Sequence, residues 1–319
     1  MGKLLRSAAL AAAAIMAMAF STIPAAQAAK ESRASAKKHQ SARKKAPARK
    51  PAARPAVRRH RPSQAAAGDP MVRSASVLVA DQSSGEVLFE KNPDAVLPIA
   101  SITKLMTAMV VLDAGLDSRE PLAVTEEDVD TLRGSGSRLA VGTVLPRAEL
   151  LRLALMSSEN RAAHALSRHY PGGTAAFVAA MNRKAAAIGL TDTRFSDPTG
   201  LAASNVSSAR DLVEMVGAAA RYPAVREFTT TASYTVELNG RVREFRNTNV
   251  LVRNSDWEIR VSKTGYINEA GRCLVMLAQL AGRPVIIVLL DSWGKFTRIG
   301  DANRIRRWVE NAQPASRAG

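Results

Sequence analysis

Cysteine and histidine are scarce in this sequence, and long apolar runs are few. Cys273 is its single cysteine, which excludes an intramolecular disulfide and, inside an apolar run, indicates a buried, inert thiol. Of the four histidines, His39 and His60 lie in a basic segment, while His164 and His169 have a spacing that suits metal ligation poorly. Beyond the N-terminus no apolar run approaches the ~20 residues that a spanning helix needs. The sequence therefore predicts neither a metal site nor a spanning helix.

The first 28 residues have the pattern of an export signal. Lys3 and Arg6 supply a basic start, residues 8–20 form an apolar run, and Ala26-Gln27-Ala28 is a small-x-small cleavage site. An uncleaved membrane anchor is the alternative, but the run is short for a spanning helix. Residues 1–28 are therefore predicted to be a signal peptide. The mature protein is predicted to be secreted through the inner membrane into the periplasm.

Positive charge is concentrated in a segment that has almost no large apolar residue. The chain carries a net charge of +17, and thirteen Lys or Arg residues against one acid, Glu31, fall between Lys30 and Ser63. Such a segment cannot bury enough surface to offset its ordering entropy, so residues 29–70 are predicted to be a disordered basic arm. Outside the cytoplasm the arm would not meet nucleic acid. Two interpretations stay open: contact with an anionic wall or membrane surface, or a solvated spacer without a specific partner.

Residues 71–313 read as one globular domain, followed by a polar tail at 314–319. Hydrophobic periodicity predicts an N-terminal hairpin, then helices from 101 to about 115 and at 124–132, 147–156, 159–169, 174–188 and 208–221. It also predicts strands at 232–238, 259–264, 273–280 and 285–290, a turn at 265–271 and a closing helix at 297–311. The predicted fold class is therefore α/β of the α+β type. An antiparallel sheet formed by both ends of the domain would carry an inserted helical block.

Three short motifs occur in order in this domain. They are Ser101-Ile102-Thr103-Lys104, Ser158-Glu159-Asn160 and Lys263-Thr264-Gly265. Ser-x-x-Lys also occurs elsewhere in the chain, but only Ser101 opens an apolar-striped helix. One motif alone is equally well explained by a helix cap or a solvated lysine. The conjunction of three motifs, each in a suitable element, indicates acyl transfer by a serine nucleophile.

The first motif supplies a nucleophile and a base. On a helix, Ser101 and Lys104 share one face. A neutral lysine can take the serine proton, and burial, the positive end of the helix dipole and Lys263 as a second cation would each lower the pKa of Lys104. The backbone N–H groups of Ser101 and Tyr266 are predicted to form an oxyanion hole.

The other two motifs suit substrate binding. An edge strand containing Lys263, Thr264 and Gly265 could take a peptide as an added strand, with a cation and a hydroxyl for a substrate carboxylate and with no side chain at the glycine. Ser158 and Asn160 are placed where one predicted helix ends and the next begins. From that junction Ser158 can relay a proton and Asn160 can hold a substrate amide.

These residues make the chain resemble the low-molecular-mass penicillin-binding proteins, serine D-alanyl-D-alanine peptidases that share a fold with serine β-lactamases. The resemblance covers about residues 72 to 312. It extends beyond the motifs to segments typical of the endopeptidase branch: 98–107, 155–163, 197–201, 245–249 and 263–271. By this resemblance Ser101 is the acylated nucleophile and Lys104 its base. Ser158 and Asn160 belong to the active-site loop, and Lys263, Thr264 and Gly265 form the binding strand.

The resemblance also implies a reaction. The expected activity is hydrolysis, in peptidoglycan stem peptides, of the cross-link between D-alanine and the side-chain amine of a neighbouring diamino acid, with covalent inhibition by β-lactam antibiotics and without a cofactor. A D-alanyl-D-alanine carboxypeptidase is the first alternative. A β-lactamase would need a deacylating glutamate, for which the sequence offers no confident candidate. A non-enzymatic wall-binding protein would have no need of an intact Ser101 and Lys104. The oligomeric state stays open.

Overall fold

The structure, a computed structural model of the chain, describes residues 68–312. The predicted signal peptide, almost all of the predicted arm and the polar tail lie outside the described residues. The strands in chain order are β1 Ser76–Asp81, β2 Val87–Lys91, β3 Leu97–Pro98, β4 Pro121–Ala123, β5 Val144–Pro146, β6 Val206–Ser207, β7 Ser233–Leu238, β8 Arg241–Arg246, β9 Glu258–Ile267, β10 Gly271–Leu280 and β11 Arg283–Ser292. The α-helices are α1 Lys104–Asp113, α2 Arg147–Met156, α3 Asn160–Arg168, α4 Gly173–Ala187, α5 Ala209–Ala219, α6 Pro223–Thr230 and α7 Thr297–Asn311. Short 3₁₀ turns span Ala100–Thr103, Glu126–Asp128 and Val250–Arg253.

A five-stranded antiparallel sheet in the order β2-β1-β11-β10-β9 forms the centre of the domain. The N-terminal strand β1 pairs along its whole length with the C-terminal strand β11, and β9, β10 and β11 follow one another as a meander. The predicted sheet formed by both ends of the domain is therefore confirmed. Because β9 has a neighbour on one side only, it presents an edge on which the site described below is built.

The two faces of the sheet cover separate cores. Side chains of a strand alternate between the two faces. In β11, Ile286 and Val288 point into the larger core, which helices α1 to α6 complete. Ile287 and Leu289 point the other way and pack with Ile305 of α7. The long apolar run of β11 thus follows from burial on both faces, and the helical block lies on one face while α7 covers the other.

Helix boundaries agree with the sequence patterns except in two places. The predicted helix at 124–132 is wrong, since only the 3₁₀ turn Glu126–Asp128 forms there. The Asp128 carboxylate accepts the N–H of Thr125 at 2.8 Å, and Val124 pairs with Thr143 across the small β4–β5 hairpin. These contacts close the segment into a turn. Helix α6 was not predicted, although it begins on a proline, which is a common first helical residue.

Strand β9 is longer than its sequence pattern indicates. The turn predicted at 265–271 is shorter, because Gly265 pairs with Cys273 and Tyr266 pairs with Arg272 in the β9–β10 ladder. Both Gly265 and Tyr266 therefore belong to the edge strand. The strand expected at 232–238 does form, but it pairs with the unpredicted β8 in a separate hairpin rather than with the main sheet. None of the helices in the described part of the chain is long and apolar enough to cross a membrane.

Candidate active site

The segment that leads into α1 lies directly against strand β9. Ser101 is in the 3₁₀ turn, and the α-helix begins only at Lys104, so the serine precedes the helix instead of opening it. A Cβ atom added to Gly265 would lie 2.6 Å from the Ile99 carbonyl oxygen and 3.3 Å from the Ser101 nitrogen. The space above this glycine, expected for substrate, is therefore taken by the serine turn. Gly265 is what allows the edge strand and the turn to touch.

Lys104 is a buried amine surrounded by oxygen atoms. Its side chain is 1% exposed. Its Nζ lies 2.9 Å from Ser101 Oγ, 2.7 Å from Asn160 Oδ1 and 2.7 Å from the carbonyl oxygen of Thr199. One amine thus joins the serine of the first motif to the asparagine of the second. The spacing of three residues expected from the sequence brings the serine hydroxyl and the amine within hydrogen-bond distance.

The environment of Lys104 favours a neutral amine. Burial lowers the pKa of Lys104 to about 7, while the nearby carboxylates of Asp197 and Glu159 raise that pKa and so limit the fall. Near neutral pH the amine is then divided between its protonated and neutral forms. A neutral amine 2.9 Å from a hydroxyl can take its proton, which is the task of a general base.

Lys263 is a second buried amine, on the opposite wall. It is also 1% exposed, and its Nζ donates to Ser158 Oγ at 2.9 Å and to the Thr264 carbonyl at 3.0 Å. Burial lowers the pKa of Lys263 well below its usual value, and the positive charges of Lys104 and Arg298 lower it further. The predicted proximity of the two lysines is thus present.

The junction between α2 and α3 positions Ser158 and Asn160. Ser158 has a φ of +63°, a left-handed conformation that turns the chain sharply between the helices. Asn160 is the first residue of α3; its amide oxygen accepts from Lys104 and its amide nitrogen donates to Ser135 Oγ at 3.0 Å. Glu159 between them is buried and accepts from Ser137 at 2.6 Å. Successive side chains therefore point in different directions. Ser158 and Asn160 face the two lysines, whereas Glu159 faces the loop that contains Ser137.

The remaining predicted residues lie along β9. The Thr264 hydroxyl donates to Thr248 Oγ1 at 2.7 Å, and Thr248 is tied by its N–H to the last carbonyl of α2, that of Met156. Tyr266, whose backbone was predicted to help to form an oxyanion hole, has a side chain that is about half exposed. Two hydrogen-bonded groups thus make up the site, called the lysine site below: Lys104 with Ser101 and Asn160, and Lys263 with Ser158. The charge of Lys104 acts on Lys263, and Thr264, Gly265 and Tyr266 lie at the border.

The segment 197–201 was named from the sequence only as part of the family resemblance, without a role in the site. The Asp197 carboxylate accepts the N–H groups of Thr199 at 2.6 Å and Gly200 at 2.7 Å. This turn aims the Thr199 carbonyl at Lys104. Gly200, with a φ of +83°, leaves no room for a Cβ beside the Ala100 carbonyl. The Asp-Pro-Thr-Gly string was the available signal, since it is typical of a tight turn.

Arg298 is a site neighbour that sequence reasoning missed altogether. It lies in the first turn of α7, and its guanidinium donates to the Gly265 carbonyl at 3.2 Å. Burial and the charge of Arg272 lower the pKa of Arg298. It therefore adds a third cation near Lys263. No motif marks this arginine, because it comes from the helix on the other face of the sheet.

His164, His169 and Cys273 each have a structural partner. His164 Nδ1 lies 2.8 Å from the Asp128 carboxylate, and His169 Nδ1 lies 2.9 Å from the Ala165 carbonyl. Cys273 is fully buried in β10, and burial raises the pKa of its thiol to about 12. The thiol is therefore inert, as its apolar surroundings predicted.

The fold and the lysine site define a class of protein: a serine acyl-transfer enzyme with a central antiparallel sheet and an inserted helical block. A profile of the peptidase S11 family, described as D-alanyl-D-alanine carboxypeptidase, matches residues 63–294. The chain therefore belongs to the S11 family of serine D-Ala-D-Ala peptidases. The predicted family and enzyme class are confirmed.

Curated relatives carry more specific names. The chain is 50% identical over 242 residues to a D-alanyl-D-alanine endopeptidase of Pseudomonas aeruginosa, covering 75% of this chain and 78% of the relative. It is 44% identical over 249 residues to a D-alanyl-D-alanine endopeptidase of Escherichia coli, covering 77% and 80%. A D-alanyl-D-alanine carboxypeptidase of Bacillus subtilis is more distant, at 32% identity over 222 residues, with 68% and 57% covered.

Solved structures confirm the fold. The crystal structure of the Streptomyces K15 DD-transpeptidase superposes with a TM-score of 0.70 at 27% identity, covering 75% of this chain and 98% of that chain. A D-alanyl-D-alanine carboxypeptidase from Mycobacterium tuberculosis superposes with a TM-score of 0.69 at 29% identity, covering 78% and 95%. The predicted penicillin-binding protein fold is thus correct.

Proposed function

We propose that this protein is a serine D-alanyl endopeptidase that cleaves the D-alanyl–diamino-acid cross-link of peptidoglycan through an acyl-enzyme on Ser101. The observation that carries the proposal is the 2.9 Å contact between Ser101 Oγ and the Nζ of the buried Lys104. The names of the two relatives at 50% and 44% identity support the endopeptidase assignment.

The first step follows from the position of Lys104. The neutral amine takes the proton of the Ser101 hydroxyl while the oxygen attacks the D-alanyl carbonyl carbon. The carbonyl oxygen becomes an oxyanion, for which the N–H groups of Ser101 and Tyr266 are the proposed donors. The close approach of Gly265 to the serine turn supports this pairing, since it brings the edge strand beside the attacked carbon.

The second step expels the amine of the neighbouring stem peptide. Its nitrogen needs a proton as the C–N bond breaks, and Ser158 is proposed to relay one from Lys263, 2.9 Å away. Asn160, bound through its oxygen to Lys104 and through one amide hydrogen to Ser135, keeps its second amide hydrogen for a substrate carbonyl. Water then attacks the ester carbonyl and gives a proton through Ser158 to Lys263, while Lys104 returns its proton to the departing Ser101 oxygen. The shortened stem peptide leaves as a carboxylic acid that ionises in water.

Strand β9 is the proposed peptide-binding edge. It is the last strand of the sheet, so its outer backbone groups can pair with an extended stem peptide. Lys263 offers a cation for a substrate carboxylate. The Thr264 hydroxyl offers a donor when it exchanges its bond to Thr248 for one to the substrate. The same features fit β-lactams, which are acyl donors carrying a carboxylate, and covalent labelling by these antibiotics is part of the proposal.

A D-alanyl-D-alanine carboxypeptidase is the second candidate. The family description and the more distant relatives carry that name. In both reactions the acyl group on Ser101 ends in D-alanine, and only the leaving amine differs. The lysine site serves either, so the size of the leaving group is the property that distinguishes them.

The cellular place of the reaction is also a proposal. Residues 1–28 have the pattern of a signal peptide, and peptidoglycan lies outside the cytoplasm. We therefore assign the mature enzyme to the periplasm. The basic arm at 29–70 would hold it near an anionic wall or membrane surface.

Labelling with a fluorescent penicillin tests the nucleophile. We expect a stable adduct on the wild-type protein and none on Ser101→Ala, with purified cross-linked muropeptide dimers then cleaved to monomers by the wild type only. Release of terminal D-alanine from uncross-linked pentapeptides, without dimer cleavage, would favour the carboxypeptidase. Rapid penicillin turnover would instead indicate a β-lactamase. Absence of both adduct and turnover on folded protein would reject the enzyme.

A further inference from the structure

Two large aromatic side chains project into solvent between β11 and α7. Trp293 is 89% exposed and Phe296 is 69% exposed. Folded proteins rarely leave rings of this size in water, and exposed aromatic groups mark interaction sites. The segment 293–296, Trp-Gly-Lys-Phe, is called the aromatic loop below.

The backbone of the aromatic loop is held by its own hydrogen bonds. The Thr297 hydroxyl donates to the Trp293 carbonyl, and the N–H of Gly300 donates to the Phe296 carbonyl at 2.9 Å. Gly294 has a φ of +88°, a conformation that other residues rarely adopt. The turn therefore presents both rings outward in a defined backbone rather than on a free end.

The aromatic loop lies beside the proposed peptide-binding strand. Ser292, the residue before the loop, pairs with Arg272, and Arg272 pairs with Tyr266 of β9. Two strand spacings separate Ser292 from Tyr266, or about 10 Å. On the other side of the loop, Arg298 donates to the Gly265 carbonyl at 3.2 Å. Both ends of the loop are thus anchored to the part of the sheet that borders the lysine site.

Cations accompany the rings on this surface. The Arg272 guanidinium lies 4.4 Å from the centre of the Tyr266 ring, and Lys295 Nζ lies 5.5 Å from the centre of the Phe296 ring. Tyr266 itself is 52% exposed. Flat rings can stack on the C–H faces of pyranose sugars, and the cations can donate to sugar hydroxyl and acetamido oxygens. The combination fits a carbohydrate better than an apolar partner.

We propose that the aromatic loop, together with the Tyr266 ring, binds the glycan strand that carries the stem peptide under cleavage. This inference rests on the proposed function, because a stem peptide in peptidoglycan is covalently attached to a glycan chain. Surface within ~10 Å of the peptide-binding strand therefore faces sugar when the polymer is bound. A bilayer seated on the loop would occupy that space and exclude the polymer from β9, which argues against a membrane as the occupant.

Quenching of tryptophan fluorescence tests binding directly. The chain has three tryptophans, and among them Trp293 is strongly exposed while Trp257 is buried. We expect the hexamer of β-1,4-linked N-acetylglucosamine, and glycan strands stripped of peptides, to protect Trp293 from iodide. Trp293→Phe should remove that signal. Co-sedimentation of the full mature chain with stripped glycan should then weaken about tenfold in Trp293→Ala/Phe296→Ala but little in Trp293→Phe, which keeps a ring. Salt near 1 M should be used to screen the basic arm.

A kinetic comparison distinguishes this inference from the proposed function. The double variant should cleave intact sacculi more slowly, by about tenfold, while it cleaves small soluble muropeptide dimers and reacts with fluorescent penicillin at wild-type rates. Val242→Ala, at another exposed apolar residue, is the matched control and should leave all rates unchanged. Normal penicillin labelling with equal sacculus cleavage would overturn the glycan inference alone. Absence of penicillin labelling on the folded wild-type protein would overturn the proposed function.

Other binding partners of the aromatic loop would give different results. If the double variant loses binding to anionic phospholipid vesicles but not to stripped glycan, the surface docks a membrane and the inference is wrong. If sedimentation velocity shows a wild-type dimer that the double variant cannot form, the surface joins two copies and the inference is equally wrong.

Discussion

Lys104 and Lys263 are equally buried lysines on opposite walls of one site, yet their surroundings differ in charge. Lys104 donates to three oxygen acceptors and lies near the carboxylates of Asp197 and Glu159. Lys263 donates to a hydroxyl and a backbone carbonyl and lies near two cations. Burial lowers the pKa of both lysines, but the neighbours oppose that change at Lys104 and reinforce it at Lys263.

The comparison shows how one residue type can serve two tasks. A base must be neutral part of the time near working pH, and a pKa of about 7 at Lys104 satisfies that condition. Within residues 68–312, no carboxylate accepts from Lys263 or raises its pKa in the free enzyme. A substrate carboxylate at β9 would supply that missing charge and raise the pKa of Lys263. Substrate binding would thereby charge the lysine that is proposed to return a proton through Ser158.

Replacing each lysine with methionine gives the largest expected effects. Because Lys104 contacts Ser101 Oγ, Lys104→Met should slow penicillin acylation by at least about 10³-fold. Lys263→Met should slow it less, by about 10²-fold, since its contact is with Ser158. Stopped-flow acylation of the two variants measures the difference. Equal rates in the two variants would remove the distinction between base and relay.

Adding one methyl group at Gly265 should have the next largest effect. The new Cβ would meet the Ile99 carbonyl at 2.6 Å, so β9 or the serine turn must move. A displacement of about 1 Å can cost 10²-fold in rate, and we expect a loss of that order in acylation by Gly265→Ala. Gly217→Ala is the control, because its Cβ would have an ordinary 3.9 Å contact with Ile286. Wild-type acylation by Gly265→Ala would show that the close approach is not needed.

The pH dependence of acylation tests the role of the carboxylates. Since the neutral amine is the active form, the rate should rise with pH through the pKa of Lys104, about 7, and level off above it. Asp197 and Glu159 raise that pKa, so Asp197→Asn and Glu159→Gln should each move the midpoint to lower pH. The larger displacement is expected for Asp197→Asn. A midpoint that moves to higher pH in both variants would contradict this account of Lys104.

A carboxylate away from the lysines should affect stability and leave acylation unchanged. Asp128 has a fully buried side chain and pairs with Arg168 and His164. Asp128→Asn should lower the free energy of unfolding at pH 7 by about 2 kcal/mol, because Arg168, itself partly exposed, loses its charged partner. Asp128 has a lowered pKa, so the difference should shrink in acid, as pH falls below the usual Asp pKa. Urea unfolding measures the loss; slower acylation by the folded variant would place Asp128 in the chemistry.

Local patterns predicted most of the secondary structure. Helix periodicity placed α2 and α7 at their observed bounds. Residues three and four positions apart lie on the same face of a helix, so the apolar face can be recognised from nearby residues alone. Gly265 pairs with Cys273 of the next strand, so its strand conformation depends on a residue outside its own segment. For that reason the end of β9 was misjudged, and the turn at 265–271 proved shorter.

By itself the sequence determined the three motifs and the class of chemistry, since the residue types and their order are local facts. The i to i+3 spacing of Ser101 and Lys104 fixed their contact, because both lie within one turn of the chain. Only the tertiary structure decided which lysine meets carboxylates and which meets cations. The Thr199 carbonyl reaches Lys104 from 95 residues away, and Arg298 reaches Gly265 from the opposite face of the sheet. Contacts across such distances depend on packing of the whole domain, and no local pattern encodes them.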